Sequence, residues 1–154
     1  MATNLLGTDY LLYVDSVTDT TTNTRGTDAN YKLLACLTSN GFEISNAEQS
    51  TSNKCDEGWA TSQSGLGSWT ISGDGQAVSL VTGEAATKTN YQAILQLALD
   101  KKVFFLKWAD PNDLIVREGK VRITSYSETA PNAEAYTFTV SFAGIGKPFI
   151  TAAV

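Results

Sequence analysis

The sequence predicts a mainly β domain, a β-sandwich or barrel with one α-helix and a long loop, and three observations carry that prediction. Apolar and polar residues alternate at period 2 in several runs. The clearest sets Tyr136, Phe138, Val140 and Phe142 against Thr137, Thr139 and Ser141. Only one stretch, about Thr89 to Lys102, has apolar residues at helical spacing. Strands lie on both sides of that helix, as in a β domain with a helix laid on it. At 154 residues the chain is one domain by size, 1–154, able to bury one core and too small for two.

The first strand is Tyr10 to Asp15, short, aromatic and β-branched. Ser16 to Asn30, rich in Thr, Asn, Asp and Gly, is a surface loop. A second strand region runs from Tyr31 through Leu37, and Asn40-Gly41 is a turn. Phe42, Ile44 and Asn46 then alternate with Glu43 and Ser45, leaving Glu43 and Ser45 on a wet face. From Ala47 to Ser68 come about 22 polar, Gly- and Ser-rich residues around one large aromatic, Trp59. A structureless loop of that length is uncommon in a compact domain and points to function or disorder. Trp59 either folds back on its own core or anchors against a partner, since tryptophan is enriched at interface hot spots.

Trp69 to Ser72 and Ala77 to Val81 read as two strands of a hairpin around Gly73-Asp74-Gly75, because Asp-Gly tolerates the positive φ of such a turn. Thr89 with Gln92 forms a capping box for the helix. Tyr91, Ile94, Leu95 and Ala98 make its apolar stripe, and Lys101 and Lys102 complement its C-terminal dipole. Val103 to Trp108 is apolar on both faces, a well-covered strand. Asp110 to Asp113 is turn chemistry. Val121 and Ile123 alternate with Arg122 and Thr124, and after a Pro131-Asn132 turn the last strand puts Thr137, Thr139 and Ser141 outward. Trp69 and Trp108 sit in strand runs and belong to the core.

Catalytic chemistry is scarce. The chain has no histidine, which removes the commonest general base, metal ligand and nucleophile partner. The close carboxylates Asp56-Glu57 and Asp110/Asp113 fall in turn-like segments where solvation is the ordinary state, and no cofactor is implied. Gly65-Leu66-Gly67, Gly73-Asp74-Gly75 and Gly144-Ile145-Gly146 do not open a helix in a βαβ unit, so each reads as a turn and none as a phosphate loop. Cys36 and Cys55 lack disulfide or metal spacing and read as inert thiols. A formal charge of −5 argues against a simple nucleic-acid binder. No run reaches the ~20 apolar residues of a membrane span, and the N-terminus lacks a secretory pattern. The expectation is synthesis in a cytoplasm without membrane insertion by this chain.

Three segments, taken together and in order, resemble the major tail tube proteins of long-tailed bacteriophages. The first is Asn53 to Trp59 followed by Ser64 to Gly75, similar to that family's Lys-Asp, Gly-Trp, small-Gly, Ser-Trp-Thr and Asp-Gly pattern. Cys55 departs from it, separating Lys54 from the acidic residue that the pattern sets beside it. The second is Asn90-Tyr91 through Leu99, and the third is Gly119 to Gly146 with Ile123-Thr124-Ser125, Ala130-Pro131, Tyr136-Thr137-Phe138 and Gly144-Ile145-Gly146. Leu12-Tyr13-Val14 fits as well, so the likeness spans most of the chain.

The resemblance implies a non-enzymatic virion protein, with six copies to a ring and rings stacked into the tail tube that conducts DNA during ejection. One sheet per subunit would line the lumen, with Glu43, Ser45, Thr137, Thr139 and Ser141 facing it. Lys54, Asp56, Trp59 and Leu66 on the long loop would contact an adjacent subunit or ring. Its partners would be itself, the tape measure protein and the tail terminator and tip proteins, with DNA passing unbound. Six copies at −5 give a ring of −30, a sign that repels phosphate. The subunit would be assembled in the host cytoplasm and end in the phage tail. The alternatives are the inner tube of a related machine (a gene transfer agent, a contractile tail, a type VI secretion system), a β-sandwich glycan-binding module, or a paired-carboxylate hydrolase.

Overall fold

The computed structural model describes residues 10–55, 57–109 and 115–152. The Asp110 to Asp113 turn therefore lies outside the described residues, as does Asp56. Eight strands and one helix follow in order: β1 Leu11–Asp15, β2 Lys32–Leu34, β3 Leu37–Ser50, β4 Ser62–Gln76, β5 Lys88–Thr89, α1 Tyr91–Leu99, β6 Phe104–Ala109, β7 Ile115–Thr129 and β8 Thr137–Ala152. All strands join one sheet in the order β3-β4-β8-β7-β6-β1-β2-β5, antiparallel except for the β2–β5 pair.

The mainly β fold with a single helix is as the sequence predicts, but its two layers come from one sheet curled on itself. Phe42 on β3 and Trp108 on β6 have three strands between them in the hydrogen-bond order, yet their rings meet at 5.6 Å. Leu12 of β1 likewise lies against Gly73 of β4. Between the layers sit Leu12, Ile71, Phe104, Leu106, Val121, Phe138, Val140 and Phe142, closed on one side by Ile94 of the helix. β6 is buried along most of its length, which explains its unbroken apolar run. Each fully buried Phe or Leu here contributes about 1.5–3 kcal/mol.

Several local expectations are corrected. Tyr31 to Leu37 is not one strand: the chain turns at Ala35-Cys36, with Cys36 at φ 59, before β3 begins. Asn40-Gly41 and Gly73-Asp74-Gly75 are not turns but lie inside the paired strands β3 and β4, where Asn40 faces Gly73, and none of these residues has positive φ. A primed hairpin turn needs positive φ at its centre, so the Asp-Gly signal has no turn to make here. Gly75 is required by close packing, since a Cβ there would stand 2.8 Å from the Cys36 carbonyl oxygen. The other two Gly-x-Gly runs also lie within strands, β4 and β8, and Ala77 to Val81 is not a strand. Helix α1 is capped by Asn90, whose side chain accepts from the Ala93 N–H at 3.4 Å. Thr89, the predicted cap, is in β5. The helix stops at Leu99, before Lys101 and Lys102.

The Ser16 to Asn30 loop is held by two buried carboxylates. Asp15 accepts from the N–H groups of Val17, Thr18 and Thr27, each at 3.0 Å, and from the Thr18 hydroxyl. Burial raises its pKa, but these hydrogen bonds outweigh burial and hold the carboxyl below its ordinary range. Glu118 of β7 meets the Arg25 guanidinium at 3.2 Å and accepts from the Tyr31 hydroxyl at 2.9 Å. Burial, and then the Glu118 charge, push the Tyr31 phenol well above its usual value.

Candidate functional site

Three surfaces stand out: a polar sheet face, a projecting arm, and a cleft where the two meet. The polar face is set by strand register, because paired residues of antiparallel strands point to the same side. Glu43 pairs with Thr70, Thr70 with Ala143, and Ala143 with Arg122. The next rows are Gly41, Ser72, Ser141 and Ser125, then Ser39, Asp74, Thr139 and Ser127, then Gln76, Thr137 and Thr129. Ser45 extends this face toward the arm through its pairing with Ser68. All five residues predicted on wet faces, Glu43, Ser45, Thr137, Thr139 and Ser141, thus share one side of β3-β4-β8. Hydroxyls make up most of the face, with Glu43, Asp74 and Arg122 among them, and its Thr139 Oγ1 donates to Asp74 Oδ1 at 2.7 Å.

The segment from Ala47 to Ser68 is a β-hairpin where the sequence suggested a structureless loop. β3 continues to Ser50 and β4 begins at Ser62, so only residues 51–61 form the tip. Both faces of this arm are exposed. That explains why no periodicity marked it: neither side has a core to meet. The tip is tied by Thr51 to Thr61 through main-chain and hydroxyl hydrogen bonds, and by Ser52 to Thr61. Lys54 and Trp59 are on the tip and Leu66 on the returning strand; Asp56 falls outside the described residues. Trp59 is 79% exposed and Leu66 90%, so Trp59 does not fold back on its own core.

The arm leaves the body beside Trp69. The Trp69 ring is buried over two glycines of β7 and β8, Gly119 and Gly144, and its indole N–H donates to the Gly146 carbonyl at 2.7 Å. Opposite Gly119 the β7–β8 ladder carries a bulge: Glu118 pairs with Phe149 and Lys120 with Ile145, leaving Gly146, Lys147 and Pro148 against one residue. Gly146 takes φ 76 there. β4 stops pairing with β8 at Ala143, so the arm and the distal half of β8 diverge. Between them opens a cleft of about 460 Å³ lined by Ile44, Trp69, Lys147, Pro148 and Ile150 among others. Ile44 is 51% exposed and Ile150 53%. The alternation that places Ile44 on the core side is right about the face, but the core ends before reaching it.

Sequence reasoning missed this cleft because its walls come from strands a hundred residues apart. The one local hint is Lys147-Pro148 inside a strand run, since proline in a strand marks an edge or a bulge.

Comparison with curated protein sequences finds no match. Solved structures do resemble the chain. The virion of a native gene transfer agent particle contains a chain with a TM-score of 0.72 at 20% identity, covering 97% of this chain and 100% of that one. The tail of an empty gene transfer agent particle, refined with C6 symmetry, gives 0.70 at 19% identity, with coverage of 97% and 100%. The SPP1 tail tube gives 0.69 at 15% identity, covering 98% of this chain and 81% of that one. These likenesses concern the fold. In sequence, the model of the phage tail tube protein family matches residues 5–149, nearly the whole chain, and the protein therefore belongs to the phage tail tube protein family.

Proposed function

We propose that the protein polymerises as stacked hexameric rings into a tail tube whose bore is lined by the polar face of β3, β4, β8 and β7. The observation that carries this reading is the gathering of Glu43, Ser45, Thr137, Thr139 and Ser141 on one hydroxyl-rich face. A conduit for DNA needs a wall that neither stacks on bases nor carries net positive charge, and short hydroxyls with Glu43 and Asp74 outnumbering Arg122 meet both needs. Sixfold rings are favoured by the C6 symmetry of the similar gene transfer agent tail. The arm, with Lys54, Asp56, Trp59 and Leu66, bridges to an adjacent subunit or ring. Tape measure, terminator and tip proteins are the further partners this reading requires, and the phage tail is its location. A gene transfer agent tail is the second reading, supported by the similarity to such particles, and it uses the same surfaces.

Negative-stain microscopy of the purified chain over a range of concentrations tests the proposal. Rings or tubes with sixfold end views are expected. A chain that stays monomeric at every concentration would overturn it.

A further inference from the structure

We propose that the cleft between the arm base and the distal half of β8 is the receptor for the arm tip of a second copy, with Trp59 seated against Ile44, Pro148 and Ile150. The inference rests on the tube reading and names the partner surface that reading leaves open.

The cleft has the size and chemistry for an aromatic ring. Its volume lies in the range of sites that bury small organic groups, and its walls combine two exposed isoleucines, a proline and the edge of Trp69. The chain offers a matching knob. Trp59 is its most exposed aromatic side chain among the described residues, carried on a hairpin that holds it away from the body.

The knob cannot enter its own cleft. The cleft reaches along β3 as far as Asn46, and the four strand steps from there to Ser50, at ~3.4 Å each, place the tip about 14 Å beyond it. A second copy carries the same ring on an arm free to reach it. Charge favours the same pairing. Lys147 lines the cleft, and Arg117 pairs with the cleft's Ile150 and sets its guanidinium over the Phe42 and Trp108 rings, whereas residues 51–61 carry Asp56 and Glu57 against Lys54, a formal −1. A cationic cleft on a chain of net charge −5 suits that acidic tip. Knob and hole sit on different parts of one chain, so each copy both gives and receives a contact. Such a heterologous joint closes into a ring or continues as a stack.

The test uses two full-length variants, Trp59→Ala, which keeps its cleft, and Ile150→Asp, which keeps its arm. Both sites are exposed, and circular dichroism melts within a few degrees of the parent establish folding. Each variant alone should need roughly thirtyfold more protein than the parent to assemble, the scale of a lost hot spot. Mixed one to one, they retain one competent joint per pair and should sediment as mixed dimers that grow no further. Glu57→Lys should restore assembly to Lys147→Glu, a second variant that leaves the apolar walls intact. Assembly of Ile150→Asp and Lys147→Glu at the parent's concentration, with Trp59→Ala defective, would sink the cleft while leaving the tube. A parent chain that never assembles would remove both.

Discussion

A single tryptophan explains two glycines. A Cβ on Gly144 would stand 1.9 Å from Cε2 of Trp69, and one on Gly119 would stand 2.5 Å from Cζ2 of the same ring. Gly119 and Gly144 thus form a trough for an indole, which pins β4 to β7 and β8 where the arm departs.

Gly144→Ala should therefore lower stability by about 2–3 kcal/mol, because the added methyl must displace a buried ring and break its hydrogen bond to the Gly146 carbonyl. Urea denaturation of the monomer measures it. A change within 0.5 kcal/mol, as for an ordinary surface substitution, would show that the ring shifts freely.

Asp15→Asn should destabilise the Ser16 to Asn30 loop by about 2 kcal/mol at neutral pH, since charge-assisted hydrogen bonds are lost. The folded pKa is depressed, so the carboxylate's contribution is complete above the ordinary value near 4 and is lost as pH falls through the folded value. The variant's stability should vary less than the parent's between pH 5 and 2, as followed by thermal melts. Parallel acid limbs for the two proteins would refute the assignment.

Amide exchange should separate arm from body. Outside the tip, the arm's ladder is hydrogen-bonded but has no apolar cover, so in the free monomer residues 47–50 and 62–68 should exchange faster than β6 or β8. In assembled tubes the same amides should slow by at least tenfold, a factor worth ~1.4 kcal/mol of added protection. Equal protection in both states would mean that the arm meets no partner.

Glu43→Lys should still assemble, because the side chain is exposed and on the polar face. Particles built from it should eject DNA more slowly, and the delay should shrink as salt screens the new attraction to phosphate. Ejection at the parental rate at every salt concentration would place Glu43 on the outer wall.

The sequence revealed this protein unevenly, and the reasons are physical. Phe138, Val140 and Phe142 point inward and Thr137, Thr139 and Ser141 outward, because one face of β8 meets a core and the pattern records it. The arm left no such record, since polar residues cover both of its sides. Gly73-Asp74-Gly75 gave a turn signal because glycine serves close packing, as at Gly75, as readily as positive φ, and composition does not distinguish the two uses. The curl that brings Phe42 to Trp108, and the divergence that opens the cleft, depend on contacts between strands remote in sequence.

The bulge at Gly146 to Pro148 also restrains the protein from a different kind of polymer. Beyond Ala143 the distal half of β8 has no neighbour on its β4 side among the described residues, and an unpaired strand edge is a template on which sheets extend without limit. Pro148 offers no amide hydrogen to such a ladder, Lys147 would stack charge upon like charge, and the extra residues spoil the flat spacing that a cross-β ribbon requires. A subunit that must become crowded to do its work thus carries, beside its proposed docking cleft, a guard against amyloid.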